Sequence, residues 1–137
     1  MIRFKKIKWK NFLSTGDQWT EVKLNDDGTT LIVGANGAGK STVLDAICFV
    51  LFNKPYRKIT KSQLVNTTNE KGTETEIEFE IGSKQYLVRR GIKPNIFDIE
   101  IDGNMRNKEA DDRVNQKVLE EQILKLNFKS FTQIVIL

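Results

Sequence analysis

The chain has 137 residues, with 22 Lys and Arg against 18 Asp and Glu and a formal net charge of +4. Hydrophobic residues make up 39% and charged residues 29%, which is typical of one globular domain and excludes a disordered or fibrous protein. A single cysteine, Cys48, and no histidine argue against a disulfide framework, a zinc site and a histidine-based triad. No apolar run approaches the roughly 20 residues of a membrane helix, and no signal peptide opens the chain, so we expect a cytoplasmic protein without a membrane partner.

The first half of the chain predicts three strands and a helix. Residues 2–9 place apolar side chains among lysines with one break in the alternation, so they predict a strand with one irregularity. Residues 19–24 predict a second strand, and the β-branched run at 29–33 is typical of a buried one. Residues 41–52 carry apolar residues at helical spacing and predict a helix, with Cys48 on its core stripe.

The second half predicts an antiparallel β arm over about 74–102. Residues 74–81 alternate apolar residues with glutamates, which is typical of a half-buried strand, and residues 85–90 and 96–101 predict its partners. Arg89 and Arg90 then point to opposite faces, and one of them is predicted to pair with the glutamates of the neighbouring strand.

Helical and irregular segments surround this arm. Residues 53–72 look irregular, with a short helical turn near 62–65. Residues 110–126 predict a helix from the spacing of five apolar residues, which are Val114, Val118, Leu119, Ile123 and Leu126. The last segment, 131–137, ends in the apolar run IVIL and predicts a strand.

One motif carries chemistry, the sequence Gly34-Ala35-Asn36-Gly37-Ala38-Gly39-Lys40-Ser41, which fits the phosphate-binding pattern G-x-x-x-x-G-K-[ST]. Its glycines let successive backbone N–H groups point inward, and the following helix presents its positive end to a phosphate. Lys40 adds a cation, the Ser41 hydroxyl can ligate Mg²⁺, and Thr42 can reach the α-phosphate. The predicted strand before the motif and helix after it favour nucleotide binding over a plain glycine turn.

The motif predicts binding rather than hydrolysis. A P-loop ATPase also needs an acidic residue at the end of a second apolar strand and a group that polarises the attacking water. The sequence has no four-residue apolar run ending in Asp or Glu, and no Ser-Gly-Gly signature. The chain therefore looks like part of an ATPase without its second half.

The stretch VGANGAGKSTVLDAICFVLF resembles the N-terminal lobe of the ABC-type ATPase heads of SMC-like and SbcC-type DNA-repair proteins, over nearly the whole chain. Three further stretches are similar to the branch of this family found in recombination endonucleases of T-even-like phages. They are FNKPYRKITKSQLVN, VRRGIKPNIFDIEIDG and FKSFTQIVIL. The resemblance implies an α/β fold, a P-loop NTPase head lobe with an antiparallel β arm. One N-terminal lobe would occupy 1–137, with the phosphate-binding loop at 34–42 and a Q-loop near 133.

The resemblance also implies the site and its partners. Lys40 and Gln133 would be catalytic, with Ser41 and Gln133 on Mg²⁺. The residues implied to bind ATP are Gly34, Asn36, Gly37, Ala38, Gly39, Lys40, Ser41 and Thr42. Two such heads close around ATP and Mg²⁺, and ATP gates access of double-stranded DNA to a nuclease subunit. The coiled coil and the C-terminal lobe are absent, so we expect them on a missing or separate segment, and a phage protein would act in the host cytoplasm.

One departure and two basic clusters bear on this interpretation. In the family that the chain resembles, many members carry an arginine that reaches the nucleotide where this chain has Leu13. Basic residues crowd 3–10, where a DNA face and a solvated strand face fit equally well. A second cluster suits contacts to the DNA backbone or a plain solvated loop, and its members are Lys54, Arg57, Lys58 and Lys61.

Two alternatives stay open. A transporter-type ABC ATPase shares the P-loop, but Gln133 lies 93 residues after Lys40, roughly twice the gap in that class. The other alternative is a truncated, non-catalytic fragment. The apolar β-branched end of the chain supports it, because such an end is an aggregation risk. We expect ATPase activity from a complete head, and little or no turnover from this chain alone.

Overall fold

A computed structural model describes residues 2–13, 15–24, 37–66, 68–106 and 111–135, and in 37–41 and 133–135 it describes the backbone only. It consists of one antiparallel sheet with helices packed on one face. The buried strand predicted over 29–33 lies outside the described residues. Within the described ranges, no helix is long and apolar enough to cross a bilayer.

The sheet has six strands in the order β2-β1-β3-β4-β5-β6, all antiparallel. The strands are β1 (Ile2–Lys10), β2 (Thr20–Lys23), β3 (Thr73–Ile81), β4 (Lys84–Ile92), β5 (Ile96–Ile101) and β6 (Asn104–Met105). The predicted β arm is confirmed, but it is continuous with the opening strands because β3 pairs with β1. The predicted irregularity in β1 is a register shift between Phe4 and Lys6, which keeps Phe4 and Ile7 on the same face.

The helices follow the sequence patterns in all but two places. They are α1 (Gly37–Phe52), a short 3-10 helix (Lys61–Leu64), α2 (Asp112–Lys117), a π-helical stretch that continues it (Val118–Leu124) and α3 (Phe128–Val135). The predicted helix over 110–126 is confirmed, but Val114, one of the five apolar residues that predicted it, is 51% exposed. Asn115 takes the buried position and accepts a hydrogen bond from Arg106 Nε at 3.3 Å, which leaves Val114 turned about 100° away.

The second difference is the last described segment, where the predicted strand is a helix. Asn127 begins α3 as a cap, since its side-chain oxygen accepts the Ser130 N–H at 2.8 Å and its carbonyl accepts the Phe131 N–H at 2.9 Å. Phe128 and Phe131 lie three residues apart and both pack on the core, as one helical face requires. This packing overrides the β propensity of the branched residues that follow.

The two faces of the sheet have opposite chemistry. The helix-covered face holds the core, in which α1 residues pack on alternate residues of β1, β3, β4 and β5, with Ile77 and Phe79 fully buried. The other face carries rows of opposite charges across the strands, such as Lys8 opposite Glu76 and Glu76 opposite Arg89. The alternation in 74–81 therefore predicted the inward residues correctly, and on the other face Glu76 is buried among cations at 7% exposure.

Candidate nucleotide site and basic loop

The phosphate-binding motif runs into the start of α1. The helix begins at Gly37, inside the motif, and continues for 16 residues to Phe52. Its first turn is Gly37-Ala38-Gly39-Lys40 and contains no acidic residue. The first N–H groups of a helix have no partner within the helix, so this end of α1 presents backbone donors and a positive dipole next to the motif.

The described residues include only part of the predicted phosphate-binding set. Gly34, Ala35 and Asn36 lie outside them, and Gly37, Ala38, Gly39, Lys40 and Ser41 are described as helical backbone only. Thr42 is half-buried in the second turn of α1. Their roles at a nucleotide therefore stay predictions.

The other predicted catalytic residue, Gln133, lies in α3. Its backbone is described and its side chain is not. Helix α3 packs directly on the end of α1, because the Phe131 ring lies 5.2 Å from the Phe52 ring and the Phe128 ring 5.9 Å from it. Phe131 also meets Phe4 of β1 at 5.9 Å. The structure thus joins the two helices that carry Lys40 and Gln133 through one aromatic cluster.

A buried carboxylate lies on α1 shortly after the motif. Asp45 has no exposed surface, and both of its oxygens accept hydrogen bonds from Arg57. The Arg57 backbone N–H donates to Oδ1 at 2.9 Å and its side-chain Nε donates to Oδ2 at 2.6 Å. Sequence reasoning missed this acid, although an aspartate inside the apolar run at 43–52 was the available signal.

The other end of α1 is held by a buried arginine. Arg90 of β4 is 4% exposed, and its Nε donates to the Val50 carbonyl at 3.2 Å. A second nitrogen of this guanidinium donates to the Gln116 side chain, whose own amide donates to the Leu51 carbonyl at 2.9 Å. These donors satisfy carbonyls at the end of a helix whose last turn has no basic residue of its own.

Arg90 also stacks on an aromatic ring, with its guanidinium carbon 3.7 Å from the centre of the Phe97 ring. Burial lowers the pKa of Arg90 to about 9, while Asp112 and Glu120 oppose that shift. The group therefore stays protonated at neutral pH. The prediction for the arginine pair is confirmed, because Arg89 meets Glu76 at 3.3 Å on the opposite face of the sheet.

The predicted DNA-contact residues lie on the loop between α1 and the 3-10 helix, or at the start of that helix. Lys58 is exposed, and the Lys54 ammonium lies 4.3 Å from the centre of the Phe128 ring. Lys61 is half-buried, and burial, together with nearby Arg90, lowers its pKa against the effect of Asp112. Arg57 differs from the three lysines because, among the described residues, it alone of the four forms an ion pair, with Asp45.

The donors available at the start of α1 fit a phosphate chain with a divalent cation. Backbone N–H groups and a lysine suit phosphate oxygens, and a serine hydroxyl suits Mg²⁺, which takes oxygen ligands. Among the residues that the structure describes, no cluster of three or more cysteine or acidic side chains is arranged to hold a metal ion. The predicted Mg²⁺ ligands stay predictions: Ser41 follows from the motif, and Gln133 is implied by the family resemblance.

A fold with an antiparallel sheet beside a helix that starts in a P-loop motif defines a nucleotide-binding lobe of a P-loop ATPase. The family model for the AAA domain matches residues 6–137, and the chain belongs to this family. The family is one of ATPases, and nucleotide binding, typically with Mg²⁺, is a property of it. The resemblance found in the sequence is confirmed at this level.

Relatives lie in phages and archaea. The chain is 41% identical to exonuclease subunit 2 of Enterobacteria phage T4 over 135 residues, which cover 98% of this chain and 24% of that protein. The same subunit of Escherichia phage RB69 is 40% identical with the same coverage. A DNA double-strand break repair Rad50 ATPase of Sulfolobus acidocaldarius is 38% identical over 88 residues, or 64% of this chain and 10% of that one. The chain thus spans about a quarter of the length of the phage relatives.

Two solved structures share the fold. One is from work on ATP-driven dimerization and DNA-stimulated activation of SMC ATPases, with a TM-score of 0.61, 24% identity, and coverage of 89% of this chain and 80% of that one. The other is an Smc head domain of Pyrococcus furiosus with an extended coiled coil, bound to the C-terminal domain of ScpA. Its TM-score is 0.61 at 22% identity, and it covers 96% of this chain and 35% of that one. The predicted head-lobe fold is confirmed.

Proposed function

We propose that the chain is the ATP·Mg²⁺-binding N-terminal lobe of an SMC-like ATPase subunit in a DNA recombination and repair endonuclease. The observation that carries this proposal is the start of α1 at Gly37, inside the phosphate-binding motif. Identity of 41% to a phage exonuclease subunit across nearly the whole chain supports the repair class over a transporter-type ATPase. The coiled coil and the C-terminal lobe would be supplied by a further segment or a second polypeptide.

In this proposal each part of the lobe has a separate task. The backbone N–H groups at the start of α1 bind phosphate oxygens, and Lys40 neutralises their charge. Ser41 and Gln133 would hold Mg²⁺, which supplies charge neutralisation at the phosphates when it is bound. Packing of Phe52 on Phe131 keeps α1 and α3 in a fixed relation, so that the two halves of the site stay aligned.

The partners proposed for the complete head are double-stranded DNA, a nuclease subunit and a second copy of the head. The names of the phage and archaeal relatives support a nuclease complex and double-strand break repair. We expect little ATP turnover by the 137-residue chain alone, because its sequence lacks an acidic residue that closes a second apolar strand and lacks a Ser-Gly-Gly signature.

Calorimetric titration of the chain with ATP and Mg²⁺ tests the binding proposal. Lys40→Ala should raise the Kd at least about tenfold, because a charge-assisted contact contributes about 1.5–3 kcal/mol. Lys84→Ala is the matched control, since Lys84 is an exposed lysine at the β3–β4 turn, and its Kd should stay within about twofold. Equal affinity of wild type and Lys40→Ala, or no binding by the folded wild type, would overturn the proposal.

A further inference from the structure

The two basic clusters differ in whether acidic side chains balance them. In β1, each of five cations meets a glutamate of β3 at 2.8–3.5 Å, and these cations are Arg3, Lys5, Lys6, Lys8 and Lys10. The loop and helical turn over 53–61 contain four cations and no acidic residue. Among the described residues, the single ion pair made by this segment joins Arg57 to Asp45. An external anion is therefore attracted to the 53–61 segment more strongly than to the outer face of β1.

Arg57 is the cation of this segment that hydrogen bonds to Asp45 hold in place. Its backbone N–H and side-chain Nε occupy the two oxygens of Asp45, which is completely buried, whereas 42% of the Arg57 side chain is exposed. Within the described part of the chain, its two terminal nitrogens have no hydrogen-bond partner. A guanidinium fixed at Nε presents these nitrogens as a fork, which is the geometry that binds two oxygens of one phosphate.

Fixing the side chain before binding also lowers the entropy lost when a ligand binds. A lysine at this position would carry the same charge, but it has a single ammonium group and could not hold Asp45 and an external phosphate with a rigid fork. Lys58, the next residue, is exposed and adds a second cation. The segment therefore combines a fixed bidentate donor with an exposed point charge.

We propose that Arg57, with Lys58, contacts the phosphodiester backbone of nucleic acid, and that Asp45 of α1 positions Arg57 for this contact. The inference rests on the proposed function, since that function supplies the polynucleotide. Asp45 is a positioning residue, because it is buried and would not touch the ligand. It lies four residues after Ser41, about 6 Å along the helix, so the proposed phosphate contact is attached to the helix that carries the nucleotide motif.

Fluorescence anisotropy of the 137-residue chain with a labelled 20-base-pair duplex tests this inference at several salt concentrations. Arg57→Lys keeps the charge and should weaken binding about fivefold or more, because the bidentate contact is lost. Asp45→Asn removes a negative charge and should nevertheless weaken binding by a similar factor, because the amide keeps only one of the two oxygens that hold Arg57. Lys58→Gln should reduce the slope of log affinity against log salt concentration by about 1, which corresponds to one lost phosphate contact. Lys6→Gln, in the balanced β1 cluster, is the control and should change affinity less than twofold.

Asp45→Asn makes the net charge more positive, which favours nucleic-acid binding, and loosens Arg57, which disfavours it. The direction of the change in duplex affinity therefore shows which effect dominates. Duplex affinity that is unchanged in Arg57→Lys, or higher in Asp45→Asn, would overturn the positioning role. Circular dichroism reports whether Asp45→Asn is folded, and Arg57→Lys carries the test if it is not. Inorganic phosphate that competes as well as an equal concentration of duplex phosphate would indicate a free-anion site and overturn the nucleic-acid assignment. ATP titration of the same wild-type sample separates this inference from the proposed function. A wild-type chain that binds ATP but not the duplex would contradict this inference alone.

Discussion

Replacing Arg90 by methionine should destabilise the chain far more than the same replacement at the neighbouring Arg89. Methionine keeps most of the side-chain length, so the comparison removes charge and hydrogen bonding with little change in volume. Arg90 is 4% exposed and donates to Val50 at 3.2 Å and to Gln116. Its removal leaves the buried Val50 carbonyl without this donor, at about 1–3 kcal/mol, and costs the half-buried Gln116 side chain a hydrogen bond and Phe97 a stacking contact. Relief of the cost of burying a charge offsets part of this loss.

The net expectation for Arg90→Met is a fall of about 2–4 kcal/mol in the free energy of unfolding. Arg89 offers the matched control on the outer face of the same strand. Its partner Glu76 keeps a second cation, Lys8, at 2.8 Å, and the buried Nε of Arg89 has no hydrogen-bond partner in the part of the chain that the structure describes. Arg89→Met should therefore cost less than about 1 kcal/mol.

Urea unfolding at pH 7, followed by circular dichroism, measures both variants against wild type. The slope of free energy against urea should stay constant, so that midpoints compare directly. Arg90→Lys adds a second check, because a lysine keeps the charge but cannot bridge Val50 and Gln116, and it should recover only part of the loss. The reasoning would be refuted if Arg89→Met destabilised the chain as much as Arg90→Met.

Two further predictions concern groups whose pKa values are shifted. Burial, with a smaller effect of Asp45, raises the pKa of Cys48 to about 12. Iodoacetamide at pH 8 should therefore modify Cys48 slowly in the folded chain and quickly in urea. Fast labelling of the folded chain, measured by mass spectrometry, would contradict the structure. The Gln85 hydrogen bond, with Lys5 and Arg3, holds the pKa of Glu80 below its ordinary value. That contribution to stability is present above the ordinary pKa and is lost as pH falls through the lowered one. Glu80→Gln should therefore lose less thermal stability than wild type between pH 6 and pH 3, and parallel losses would argue against the pairing.

Much of the architecture could be read from local patterns because its periods are clear. The alternation at 74–81 predicted strand β3 and its inward face, and the apolar spacing at 41–52 predicted α1. The break in β1 was visible as two apolar pairs separated by an extra lysine, and the structure has a register shift there. These features depend on neighbouring residues along the chain, so one sequence suffices to predict them.

Helix α3 was missed because two local signals disagree. The branched residues at 134–136 favour a strand, whereas Asn127 capping the Ser130 N–H and the spacing of Phe128 and Phe131 favour a helix. Packing on Phe52 decides the outcome, and that contact joins residues 76 and 79 positions apart. No pattern within the segment carries that information.

The sequence by itself determined the phosphate-binding motif, the strand-rich arm and the family, because these depend on residue identity and short spacing. Only the tertiary structure decided which charges are balanced. Lysines in 5–10 and cations in 54–61 look equivalent along the chain. The first set meets the glutamates of β3, whereas among the described residues only Arg57 of the second set forms an ion pair, with buried Asp45. Coulomb energy falls with distance through space and not along the chain, so charge balance becomes visible only when the strands are paired.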